Sequence, residues 1–225
     1  MLEISNVKVY DLKESVIASR NAMRLEMPEY TDEEFEESLK RAIKLAKCGG
    51  GTGHSNFRKG IRVSFDMKYT QYITKQFQRY GFFDYVSSSS LMHKITKMDF
   101  DKCCNKYISQ ETVNKMNALV YAYNMFASLE GEDFERTTFE LRNGEVIEAN
   151  TKEECLYHMF MQIISECPMG TELFVRVSTN YEQLATIYKQ RKNHKLKEDY
   201  GNFVKFVESL PYAHELIICD KEVRV

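Results

Sequence analysis

No apolar run in this chain approaches the roughly 20 residues needed to cross a bilayer. A membrane span is therefore not expected. The opening stretch, MLEISNVKVYDLKES, lacks the apolar core of a secretory signal, so a cytoplasmic location is expected. Excess charge of one sign is missing too. The net charge is −2, which leaves no global field to recruit nucleic acid. Nucleic acid is not an expected partner, and any anion must be held by a local cluster. None of the six cysteines forms C-x-x-C. Adjacent Cys103 and Cys104 are read as reduced, small hydrophobes. Tryptophan is absent, so the 12% aromatic share comes from Tyr and Phe alone.

What is present is ordinary for a globular chain. The 225 residues are 43% hydrophobic and 28% charged, enough for one domain with a sizeable core. Residues 2–10 read as a strand with Ile4, Val7 and Val9 as its apolar members. Ser15 to Arg24 reads as a short helix carrying Arg20 and Arg24. Thr31-Asp32-Glu33-Glu34 is a capping box. The helix it opens would turn Phe35, Leu39, Ile43 and Ala46 inward and end near Cys48. Gly49-Gly50-Gly51-Thr52-Gly53 follows a helix and lacks the Gly-Lys-Ser/Thr of a P-loop. It reads as a helix stop, or as a loop whose backbone can approach a phosphate.

The stretch Gly53 to Lys94 organises the chain. Ile61, Val63, Phe65 and Met67 alternate with Arg62, Ser64 and Asp66, the period of a half-buried strand. Tyr69, Tyr72, Ile73, Phe77 and Tyr80 recur at helical spacing. The run Ser87 to Ser90, with His93 and Lys94 behind it, reads as a conformationally free polar segment at a pocket rim. Arg58, Lys59 and Arg62 read as a solvated surface.

Further on, Ser109 caps a long helix to Leu129 with Val113, Met116, Val120 and Tyr123 inward. Thr137 to Ala149, around Asn143-Gly144, reads as a hairpin with a type I′ turn. Thr151 to Glu154 is a second capping box, and its helix runs to about Glu166, before Pro168. Glu172 to Thr179 reads as a strand. Asn180 to Gln190 reads as a helix with Leu184, Ile187 and Tyr188 on one face. A last helix uses Tyr200, Phe203, Val204 and Val207, and Leu216 to Cys219 is expected to close a sheet.

Two segments, about residues 53–94 and 168–212, resemble the flavin-dependent thymidylate synthases, the ThyX family. That family has a Gly-His pair, a strand, and a helix ending in Q-x-x-R-H-R-x-x-S-x-N-x-x-S-x-R. Counted from Gly53-His54 without a gap, Gln76, Arg79 and Ser89 match. Tyr80, Gly81, Asp84, Val86 and Leu91 replace the family's other residues. Pro168, Asn180 and Arg191 reproduce a second spacing of the family. Glu182 and Ile164 stand where it has arginines.

The resemblance implies an α/β (α+β) fold with a mixed or antiparallel sheet flanked by long helices. It implies a single domain over 1–225, with the hairpin as an insertion at 133–150. It implies FAD as cofactor, with methylenetetrahydrofolate and NADPH as co-substrates and dUMP or a related pyrimidine nucleotide as substrate. It implies a homotetramer whose flavin sites combine several chains. Carried over residue by residue, Arg79 and Ser89 are the catalytic candidates. His54, Arg79, Tyr80, Asn180 and His194 would bind the cofactor. Gln76, Ser88, Ser89, Ser90 and Arg191 would bind the substrate. No metal ligand is expected. The lost arginines leave two further readings open. One is a homologue that binds flavin or nucleotide without catalysis. The other is an unrelated module whose basic run, Lys189 to Lys197, binds nucleic acid.

Overall fold

The computed structural model describes residues 1–48, 53–129 and 136–219. The glycine-rich stretch at 49–52 lies outside the described residues, as do the first residues of the expected insertion at 133–150. In chain order the elements are β1 (Glu3–Tyr10), α1 (Leu12–Ala18), α2 (Asp32–Ala46), α3 (Phe57–Gly60) and β2 (Arg62–Thr70). Then come α4 (Gln71–Phe77), β3 (Phe83–Ser88), α5 (Leu91–Lys94), α6 (Phe100–Cys103) and α7 (Gln110–Ser128). The chain continues through β4 (Thr137–Glu140), β5 (Val146–Ala149), α8 (Lys152–Glu166), β6 (Glu172–Asn180), α9 (Tyr181–Arg191) and α10 (Lys197–Glu208). A π-helical turn spans His214–Ile218. The chain divides into two compact units. The first holds Met1–Tyr69, Ile73–Ser88 and everything from Phe174 onward; the second holds Thr70–Tyr72 and Ser89–Leu173.

The first unit is built on a sheet of order β1-β2-β6-β3. Alternation along β2 does what the sequence predicts: Val63, Phe65 and Met67 are fully buried while Arg62 is exposed. β1 lies antiparallel to β2 with Val9 opposite Val63 and Ile4 opposite Met67. A bulge between Ser5 and Lys8 interrupts this ladder, and Asn6 takes the left-handed φ of 49° that Asn tolerates. Tyr181 N donates to Ile61 O, and Ser64 Oγ donates to Val177 O, so β2 and β6 also run antiparallel. β3 completes the sheet antiparallel to β6. Aromatic rings from α4 and α10 cover one face. Phe77 stacks on Phe83 at 4.8 Å and meets Phe203 at 5.2 Å, and Phe65 meets Phe206 at 4.6 Å. Such rings bury large apolar area per residue.

The second unit has its own core of Ile95, Phe100, Val113, Met116, Val120 and Ile163. α7 starts at Ser109, whose Oγ accepts from Thr112 N at 3.3 Å. α8 starts at Thr151, whose Oγ1 accepts from Glu154 N at 3.2 Å. The Glu154 carboxylate reaches back to Asn150 N, one residue before the cap.

Four local expectations are corrected. Ser87 and Ser88 are not a free segment: they extend β3, opposite Arg176 and Val175, because a bulge after Tyr85 restores the ladder. The hairpin turn is not type I′, which needs a positive φ at both central residues. Asn143 is not among the positive-φ residues, whereas Gly144 has φ 82°. Leu141 accepts from Gly144 N and donates to Glu145 O, as in a type I turn closed by a glycine bulge. Leu216 and its neighbours form the π-helical turn rather than a strand. Finally, α2 buries Ser38, Ala42 and Ala46, with Phe35, Leu39 and Ile43 only half-buried. Small side chains let this face approach its neighbours closely.

Candidate functional site

Asn180 ends β6 and opens α9, its side-chain oxygen accepting from Gln183 N at 2.9 Å. α9 buries Leu184, Ile187 and Tyr188. One turn further, the same face presents Arg191, half-buried at the end of the helix. Arg191 Nε donates to the Tyr80 hydroxyl at 2.9 Å. Its guanidinium lies 5.7 Å from the Tyr80 ring centroid and 5.0 Å from that of Tyr200, within range of a cation–π contact with each. The Tyr80 hydroxyl in turn donates to Gln190 Oε1 at 2.9 Å. The Tyr200 hydroxyl donates to Gln76 Oε1 at 3.0 Å.

His194 closes the group, its ring 4.5 Å from that of Tyr200. Its Nδ1 accepts from Leu196 N at 3.2 Å, which leaves the proton of the neutral imidazole on Nε2. Burial, then Arg191 and Lys195, hold its pKa below the usual imidazole value. Burial pushes the Tyr200 phenol up to about 12, although Arg191 pulls it the other way. Tyr200 therefore stays protonated and can donate. Arg191 has its Nε bonded and two aromatic rings beside its guanidinium, while neither Nη group has a hydrogen bond among the described residues. A guanidinium fixed in this way presents two parallel donors to an oxyanion or a carbonyl.

The structure thus gathers Gln76, Tyr80, Arg191 and His194, four of the residues singled out in the sequence. Tyr200 and Gln190 join them. Tyr200 was legible only as a core aromatic, because nothing in its spacing marks a hydroxyl aimed at Gln76. Arg79, His54 and Ser88 have no side-chain hydrogen bond to this cluster. Arg79 is exposed in the turn after α4, and His54 is exposed in the turn before α3. Ser88 is exposed at the end of β3, while Ser89 and Ser90 belong to the second unit.

Asn180, with its oxygen used as a cap, lines a cleft of about 190 Å³ together with Lys59, Arg62, Phe82, Asp84, Ser178 and Thr179. Neither Lys59 nor Arg62 has an ion pair among the described residues, so this cleft offers two uncommitted cations beside one carboxylate. Arg58 does not belong to that surface. It is 1% exposed and pairs with Glu182, Nε to Oε2 at 2.6 Å. Its Nη1 donates to Leu216 O, and Ser55 Oγ donates to the other oxygen of Glu182. A basic triplet in sequence looks solvated. Its buried member is betrayed only by a carboxylate far along the chain.

The adjacent pair Cys103 and Cys104 offers no activated nucleophile. Burial, with Cys104 and Cys167 nearby, raises the Cys103 thiol to about 12, and burial raises Cys104 as well. Among the described residues no cluster of His, Cys, Asp and Glu could hold a metal ion. No helix among them is long and apolar enough to cross a membrane.

No protein-family model and no curated protein matches the chain. Solved structures do. One is the flavin-dependent thymidylate synthase ThyX from Helicobacter pylori complexed with FAD and dUMP. It matches with a TM-score of 0.58 and 17% identity, over 97% of this chain and 100% of that one. Another structure of thymidylate synthase X from the same organism, with FAD and dUMP, gives 0.55 and 15%, over 97% and 99%. At such identities the likeness speaks for the fold alone, and that fold, helices with an antiparallel sheet, is the one seen in ThyX.

Proposed function

We propose that this chain is a flavin-dependent thymidylate synthase-like enzyme that methylates dUMP, or a related pyrimidine deoxynucleotide, to dTMP. In this reading methylenetetrahydrofolate is the carbon donor, FAD the cofactor and NADPH the reductant. The observation that carries it is Arg191, braced by Tyr80 and Tyr200 with both Nη groups open, in a chain with the ThyX fold. Reduced flavin and folate supply the redox and one-carbon chemistry when bound. The chain's own residues bind and orient.

Arg191 pairs with the nucleotide, and the two tyrosines fix the plane of its guanidinium so that little freedom is lost on binding. Gln76, Ser88, Ser89 and Ser90 are assigned to the substrate, in an assembly whose sites combine several chains. Ser89 and Arg79 are the proposed catalytic residues. His54, Arg79, Tyr80, Asn180 and His194 are assigned to the flavin. The donor set fits a cofactor that carries two phosphates: Lys59 and Arg62 are uncommitted in the Asn180 cleft, and Arg79 is exposed. The reading includes a cytoplasmic homotetramer and one ThyX-like domain that carries the β4–β5 hairpin as an insertion.

A second reading, a homologue that binds flavin or nucleotide without catalysis, draws on Glu182. This residue stands where the family has an arginine, and it is consumed by Arg58. The test has two stages. The visible spectrum of the purified protein, before and after added FAD, should show a bound flavin; a protein that stays colourless and refuses FAD overturns the enzyme reading and leaves nucleotide binding alone as the second reading. Tritium release from labelled dUMP, with folate and NADPH, then separates them, since only the enzyme releases it. Arg191→Ala should abolish dUMP binding in calorimetry, and unchanged affinity would remove Arg191 from the site.

A further inference from the structure

From Gln183 to Lys197 the chain has no acidic residue and five cations: Lys189, Arg191, Lys192, Lys195 and Lys197. Arg191 is braced by its tyrosines. The four lysines are exposed and form no ion pair among the described residues. A helix end explains only part of this charge. Lys189, Arg191 and Lys192 sit in or at the last turn of α9, where cations meet the negative end of the helix dipole. Lys195 lies beyond that turn. Lys197 is the first residue of α10, where the positive end of a dipole opposes a cation. Lys195 also stands close enough to His194, itself beside Arg191, to disfavour its protonation.

We infer that this run is a binding track for a short chain of oxyanions, an oligophosphate or an oligocarboxylate, which starts at Arg191 and continues over Lys192, Lys195 and Lys197. The inference rests on Arg191 as the anchor of the proposed site, and extends that site from one anionic group to a ligand with several in a row. One phosphate is satisfied by the paired donors of Arg191. The lysines beyond it add nothing for such a ligand, but each gains a partner when the charge continues along a chain. Because the lysines are exposed, their contribution must be screened by salt.

The test is calorimetry of the full chain at low ionic strength with two probes, tripolyphosphate and tetraglutamate. The wild type is compared with K195Q/K197Q and with K40Q/K44Q, which removes equal charge from α2. The expected result is binding of at least one probe, weakened about tenfold in K195Q/K197Q and within twofold of wild type in K40Q/K44Q. Binding of only tripolyphosphate assigns phosphate as the natural group, and binding of only tetraglutamate assigns carboxylate. No binding by the wild type, or equal losses in the two double variants, overturns the inference. So does a single-stranded oligonucleotide that displaces both probes with affinity rising with its length, which would make the run a nucleic-acid surface. Titration with dUMP separates this inference from the functional reading. A wild type that binds a probe but not dUMP leaves the track standing and removes the nucleotide. A wild type that binds dUMP but neither probe does the reverse.

Discussion

Glu182 has a structural role that its charge alone does not announce. Its carboxylate faces Arg58 and Ser55, and Arg58 also ties down the Leu216 carbonyl. Breaking a buried pair leaves an uncompensated charge behind. Glu182→Ala should therefore cost about 3–5 kcal/mol in urea unfolding, and a change within experimental error would show that the pair is idle. His194 gives a prediction in pH. Its folded pKa is depressed, by burial first and then by Arg191 and Lys195. The folded protein thus binds fewer protons here than the unfolded chain. The stability this contributes is complete above the ordinary imidazole value, roughly 6.5, and is lost as pH falls through the lower folded value. Wild type should lose stability below about pH 6.5 more steeply than His194→Asn; parallel curves would argue against the assignment. The spacing of Pro168, Asn180 and Arg191, shared with the ThyX family, marked Arg191 as a candidate in the sequence. Its hydrogen bond to Tyr80, and the partner of Arg58, were not legible, because they meet across more than a hundred residues of chain.

At the scale of elements, local signals served well where the determining contacts are local. Thr31, Ser109 and Thr151 all cap helices as read, since a cap needs only the next three residues. The alternation of β2 placed Val63, Phe65 and Met67 inward because strand period is intrinsic to the backbone. The serine run was misjudged because hydroxyl-rich composition says nothing about a neighbouring strand that offers a ladder. Gly60, at the end of α3, is a further case of a contact hidden in the sequence. A Cβ there would stand 2.3 Å from Ser15 Oγ and 3.3 Å from Ser15 Cβ. Gly60→Ala should destabilise by about 1–3 kcal/mol through this overpacking, and Ser15→Gly in the same chain should recover most of the loss. If chemical denaturation finds the single variant unaltered, α1 and α3 do not approach as closely as described.

The whole molecule carries the proposal that no single residue can. In the proposed function, Arg191 with open Nη groups, the uncommitted Lys59–Arg62 cleft and an exposed Arg79 would be half-sites in one chain. Assembly of several chains would complete them, so light scattering should report a tetramer; a clean monomer at micromolar concentration would count heavily against the enzyme reading. The sequence by itself determined the starts of α2, α7, α8 and α9 and the buried face of β2. Each of these follows from backbone period or from residues a few steps apart. Only the tertiary structure decided which side chains brace Arg191, that Arg58 is buried against Glu182, and that Ser87 and Ser88 belong to a strand. Those outcomes depend on segments distant in sequence meeting in space, and desolvation there sets which polar groups must find a partner.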